Sequence, residues 1–176
     1  MKVSRKIFAI FGLGLIALWV GSALAGDRHH KDEVRARLAG FSEVPLTLST
    51  PGRGRFHAVI DEEEQTITFR LTYGGLEGDV TQAHIHFGKV FIAGGISVFL
   101  CSNLGNGPAG TQACPAQNGE VTGTLTPDSI IGPAGQGIAA GEFAELLAAI
   151  RAGNTYANVH STKYPGGEIR GQIHGD

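Results

Sequence analysis

The chain has 176 residues, 14 of them basic and 16 acidic, with 42% hydrophobic and 17% charged side chains. That balance excludes a disordered charged tail and leaves no strongly basic footprint for nucleic acid, while the length suits one ordinary domain. Glycine, at 27 residues without the every-third-residue period of collagen, points to many tight turns and hence to an all-β domain.

The first element serves targeting. Lys2, Arg5 and Lys6 precede an uncharged apolar run over 7–20, and Ala23-Leu24-Ala25 closes it. A basic head, a short apolar middle and an A-x-A exit predict a secretory signal peptide over 1–25. The apolar run falls short of the ~20 residues that cross a bilayer comfortably. Its removal takes three basic residues and no acids, leaving 11 basic and 16 acidic side chains and a net charge of −5. No second long apolar run follows. The expectation is a secreted or periplasmic protein with no stable membrane anchor after cleavage. A polar lead-in over 26–33, predicted to be flexible, precedes one domain over 34–176.

From Val34 the pattern has period two. Val34, Ala36 and Leu38 alternate with Arg35 and Arg37, and Phe56, Ala58 and Ile60 lie opposite Arg55 and His57. Ile67, Phe69, Leu71 and Tyr73 alternate with Thr66, Thr68, Arg70 and Thr72. Such alternation in short segments predicts half-buried antiparallel strands. Further strands are expected at 82–87, 96–100, 119–125, 156–160 and 167–174, about eight in all. Two packed sheets are the economical way to bury one face of each, giving an antiparallel β-sandwich of the immunoglobulin or superoxide dismutase kind. One helix interrupts the series, with Phe143, Leu146, Leu147 and Ile150 at i, i+3, i+4 and i+7 and Gly153 closing it. It is read as a crossover on an end or edge of the sandwich. Cys101 and Cys114 are the only cysteines, and an oxidising compartment favours a bridge between them. Gly105-Asn106-Gly107-Pro108-Ala109-Gly110 formally fits G-x-G-x-x-G, but it lies inside that loop without the flanking strand and helix a dinucleotide site needs.

The histidines carry the chemistry. In Gln82-Ala83-His84-Ile85-His86-Phe87, residues two apart share a face. Ala83, Ile85 and Phe87 point inward, which sends His84 and His86 outward together. In Tyr156-Ala157-Asn158-Val159-His160 the inward pair is Ala157 and Val159, so Asn158 and His160 face out. If the two strands are neighbours, three imidazoles converge on one outer patch. Two ring nitrogens from H-x-H and a third from His160 would hold zinc or copper equally well by ligand type. The bland alternative is that these rings are polar surface groups bonded to loop backbone. His174 shares a face with Glu168, Arg170 and Gln172, and Arg170 would repel a cation there unless Glu43 or Glu168 pairs with it in a structural ion pair. His57 is read as solvated, and His29 and His30 as polar tail. No G-x-S-x-G, nucleophilic cysteine or acid pair marks a hydrolase, so an enzyme would have to rest on the metal.

Four blocks of this sequence resemble the chordin-like (CHRD) domain family, in its exported bacterial form. They are Leu38-Ala39-Gly40-Phe41-Ser42-Glu43-Val44-Pro45, Ile67-Thr68-Phe69-Arg70-Leu71-Thr72-Tyr73-Gly74-Gly75-Leu76, Ala83-His84-Ile85-His86, and finally Asn158-Val159-His160-Ser161 with Gly166-Gly167-Glu168-Ile169-Arg170-Gly171-Gln172-Ile173. The resemblance spans roughly 34–173. It implies an extracytoplasmic domain and carries Glu43 and Arg170 over as framework residues. It does not fix a biochemical role, and the cysteine loop departs from the animal repeats of the family. Three functions follow as expectations. The first is a non-enzymatic exported binding or structural module presenting a surface three-histidine site for copper or zinc. The second is a copper redox enzyme of the dismutase type, although no fourth strand histidine or zinc loop supports it. The third is a metal-free domain that binds a protein or matrix partner.

Overall fold

The computed structural model describes residues 31–175, so the expected signal peptide and the start of the expected lead-in lie outside the described residues. Nine strands and one α-helix follow: β1 Lys31–Ala39, β2 Arg53–Asp61, β3 Thr66–Gly74, β4 Val80–Phe87, β5 Gly95–Ser102, β6 Gly119–Leu125, α1 Phe143–Arg151, β7 Thr155–Ser161, β8 Ile169–Gln172 and β9 His174–Gly175. Each strand expected from alternation is present, and the last divides into β8 and β9. Lys31–Glu33, expected in a polar lead-in, are instead the first turn-free pairs of β1, opposite Asp61, Ile60 and Val59 of β2.

The antiparallel all-β class with one helix is as expected, and the strands lie in one nearly closed sheet. The strands form one sheet in the order β5-β4-β7-β8-β1-β2-β3-β6, with β9 beside β1, and every strand pair is antiparallel. The element that joins the halves is β1. It pairs with β2 along its length and with β8 at Ala39↔Arg170, while Val34 and Arg35 meet β9. Period two identifies the buried face of a strand but says nothing about whether successive sheets stay hydrogen-bonded at their margins, and that is what separates a sandwich from a nearly closed sheet. The path ends, β5 and β6, are tied by a side chain: Gln112 Nε2 donates to Leu100 O on β5 at 3.2 Å and to Thr122 O on β6 at 2.9 Å. Gln112 sits in the loop closed by the Cys101–Cys114 disulfide, so that loop plugs the gap between the two edge strands.

The sheet wraps around a core of inward-facing residues that includes Leu38, Phe56, Ile60, Ile67, Leu71, Ile85, Leu100, Val159 and Ile169. Helix α1 adds Phe143, Leu146, Leu147 and Ile150, the four positions its spacing selects. No helix among the described residues is long and apolar enough to cross a membrane.

Candidate metal centre

Strands β4 and β7 are neighbours, in the register Gln82↔His160, His84↔Asn158 and His86↔Tyr156. His160 therefore lies diagonal to His84 on the face away from the core, and His84 and His86 follow each other on that face. Ala83, Ile85, Ala157 and Val159 occupy the inner face as expected. The three rings do converge: one nitrogen from each lies within 4.8 Å of the others, an arrangement that could hold a metal ion.

The patch is not on the surface. His84 is fully buried and His86 and His160 are only 7% and 6% exposed. A polar face can be buried only if its groups find partners, and here three connections fold over it and supply them. The β4–β5 connection places Gly94 O 3.0 Å from His86 Nδ1. The β7–β8 connection places Pro165 O 2.9 Å from His160 Nδ1. The β1–β2 connection brings Glu43, whose Oε1 accepts from Asn158 Nδ2 at 2.7 Å. Two glycines permit this closeness. A Cβ on Gly94 would overlap the Phe87 carbonyl, and one on Gly167, at φ +128°, would sit 2.8 Å from both Asn158 Nδ2 and Glu43 Oε2.

These carbonyls fix the protonation pattern. A carbonyl oxygen only accepts, so the Nδ1 of His86 and of His160 must carry the proton and each Nε2 keeps a lone pair. His84 Nδ1 lies 3.2 Å from His160 Nε2 and donates to that lone pair. The Nε2 atoms of His84 and His86 are buried without a partner. Two tetrahedral ligands at metal–nitrogen distances of ~2.0–2.1 Å are themselves about 3.3 Å apart, so the His84–His160 contact already has the spacing an ion would impose in place of the shared proton. Burial, followed by the neighbouring imidazoles, pushes the His84 pKa down to about 2. Burial also takes His86 down to about 4 against the opposing bond to Gly94, and lowers His160. All three rings are thus neutral and able to ligate at ordinary pH.

The aromatic and charged surroundings were not legible as a set. Tyr156 stacks on His86 with centroids 4.8 Å apart and planes within 1°, and Phe99 meets His84 edge-on at 4.3 Å. Arg170 lies 3.4 Å over the Tyr156 ring, and its Nη2 donates to Lys89 O and Ile92 O. Of the expected framework residues, Glu43 and Arg170 act on each other through their charges, while the hydrogen bonds of the guanidinium go to the β4–β5 connection. Glu168 accepts from Thr50 Oγ1 at 2.8 Å and from Glu77 N at 2.7 Å. Glu43 is raised to about 7, chiefly by burial, with Asn158 and Arg170 opposing. The other histidines among the described residues stand apart from the cluster: His57 is exposed beside Glu33 at 3.3 Å, and His174 is exposed on β9; His29 and His30 lie outside the described residues. Period-two reading found the three histidines because they are strand residues; the carbonyls come from loop geometry and the Arg170–Tyr156 stack from the pairing of β7 with β8, neither of which leaves such a pattern.

A family model described as CHRD domain matches residues 34–173. No curated protein and no solved structure matches the chain.

Proposed function

The chain belongs to the CHRD domain family, and from that premise we propose that it is an exported, non-enzymatic binding module whose His84, His86 and His160 together hold one copper or zinc ion. The observation that carries this reading is the pair of backbone acceptors, Gly94 O and Pro165 O, that hold the Nδ1–H of two rings and leave their Nε2 lone pairs facing a shared centre. Ligating histidines in metal sites are oriented in this way by carbonyl or carboxylate partners. Export rests on the basic–apolar–small pattern of 1–25, which also sets the mature domain boundary, and agrees with the Cys101–Cys114 bridge.

Burial of all three ligands speaks against the dismutase alternative, since catalytic metal sites keep a position open to substrate. The test uses untagged protein exposed to excess copper and zinc and then desalted. One equivalent of metal is expected, lost in the His84→Ala/His86→Ala variant, with no superoxide turnover by the loaded protein. Metal-free protein after both exposures would overturn the reading in favour of a protein- or matrix-binding domain.

A further inference from the structure

The cluster is unlike a general divalent site in its charge. Its three donors are uncharged imidazoles, with no carboxylate or thiolate among them. The nearby carboxyl of Glu43 bonds to Asn158 rather than to a ring and couples to Arg170, and Arg170 is the cation that acts on His86. That cation is held in a column, its guanidinium 3.4 Å from the Tyr156 ring and that ring stacked on His86 at 4.8 Å. The rings are sealed from water, so an ion here gives up hydration and gains no carboxylate ligand. The cost of burying an unbalanced charge rises steeply with its magnitude. A dication would place two positive charges beside Arg170, and zinc would in addition call for a fourth ligand, commonly water.

We infer that this site, if it holds metal as proposed above, selects monovalent copper, Cu(I), over Zn²⁺ and Cu²⁺. Cu(I) brings half the charge, is bound by imidazole, and is satisfied by three donors in a trigonal arrangement without water. The rest of the chain offers it no better home. Both cysteines are joined in the disulfide, and the single methionine is Met1, at the head of the signal segment. The second positive charge of a dication, acting against Arg170 across a partly polar interior, weakens its binding by roughly tenfold on its own.

The experiment titrates untagged protein under argon with acetonitrile-stabilised Cu(I) against a Cu(I)-specific chromophoric chelator, with parallel competition titrations for Zn²⁺ and Cu²⁺. Expected are one equivalent of Cu(I), bound at least about tenfold more tightly than either dication, and a copper X-ray absorption spectrum showing three nitrogen donors and no sulfur. Arg170→Gln should narrow the preference by roughly tenfold while Arg170→Lys, which keeps the charge, preserves most of it. Zn²⁺ binding as tightly as Cu(I) at the same histidines would overturn the selectivity and leave the metal site standing. Failure of every ion to bind would remove both. Cu(I) retained by a folded His84→Ala/His86→Ala variant, or sulfur in the wild-type spectrum, would overturn both as well.

Discussion

The two halves of the sheet bury their strands differently. In β2, Phe56, Ala58 and Ile60 are buried while Arg53, Arg55 and His57 on the opposite face are exposed. In β7 every residue from Thr155 to Ser161 is buried, polar and apolar alike. The first half has one core; the second has two, an apolar one inside and a polar one outside, the latter roofed by the connections at 40–52, 88–94 and 162–168. A solvated strand face needs only water and tolerates any polar residue. A roofed polar face depends on protein partners, which Asn158, His86 and His160 find in Glu43, Gly94 and Pro165. Polar side chains on an outward face therefore acquire chemistry only where loops cover them, and in this molecule that happens on one half alone.

The contrast is easiest to break in the single-core half. Phe56→Ala removes a ring that is 1% exposed and is expected to lower unfolding stability by about 3–5 kcal/mol. Its neighbour Arg55, on the open face, should tolerate Ala within about 0.5 kcal/mol. Urea titration of the two variants measures the difference, and similar losses would show that the outer face of β2 is not free. Next in size is the plug between β5 and β6. Cys101→Ser/Cys114→Ser releases a loop whose closure is worth roughly 3 kcal/mol in the chain-entropy view. A melting temperature unchanged by the double substitution would show that Gln112 holds the edges without the bridge.

Much of this was legible in the residues. Alternation located β1 to β3, and the i, i+3, i+4, i+7 set of Phe143, Leu146, Leu147 and Ile150 located α1, because both patterns are imposed by local geometry on any apolar core. The histidine set was legible for the same reason: the inward positions of Ala83, Ile85, Ala157 and Val159 oblige His84, His86 and His160 to share the other face. The continuity of the sheet was not, since it depends on a few pairs such as Ala39↔Arg170 between residues far apart in sequence. Nor was burial of the site. Whether His86 meets water or the Gly94 carbonyl is decided by the path of a connection, and a chain with 27 glycines leaves many paths open. Arg170 shows the cost of reading charge by face alone: it suggested a carboxylate partner, and Glu43 does act on it through charge, but the ring and two carbonyls it touches left no sign in the sequence.

The smallest effect, and the one that sharpens the comparison most, is the response of the metal-free protein to acid. A base whose pKa is depressed by folding carries fewer protons in the folded than in the unfolded chain, so acid favours unfolding. His84 and His86, at about 2 and about 4 against 6.5 for an exposed ring, with His160 shifted the same way, give stability that is complete above pH ~6.5 and lost as pH falls toward their folded values. Glu43 runs opposite. Raised to about 7 from 4.5, it gives stability that is complete below pH ~4.5 and lost as pH rises through 7. Three rings outweigh one carboxyl, so unfolding free energy should drop by roughly 2 kcal/mol between pH 7 and pH 5. Glu43→Gln removes the opposing contribution and should steepen that drop by about 2 kcal/mol, whereas His84→Ala/His86→Ala should flatten it. Urea unfolding of the three proteins at the two pH values reads the slopes directly. An acid response left unchanged by the histidine substitutions would mean that the outer face of β4 and β7 is as open to water as that of β2, and the two halves of the sheet would no longer differ.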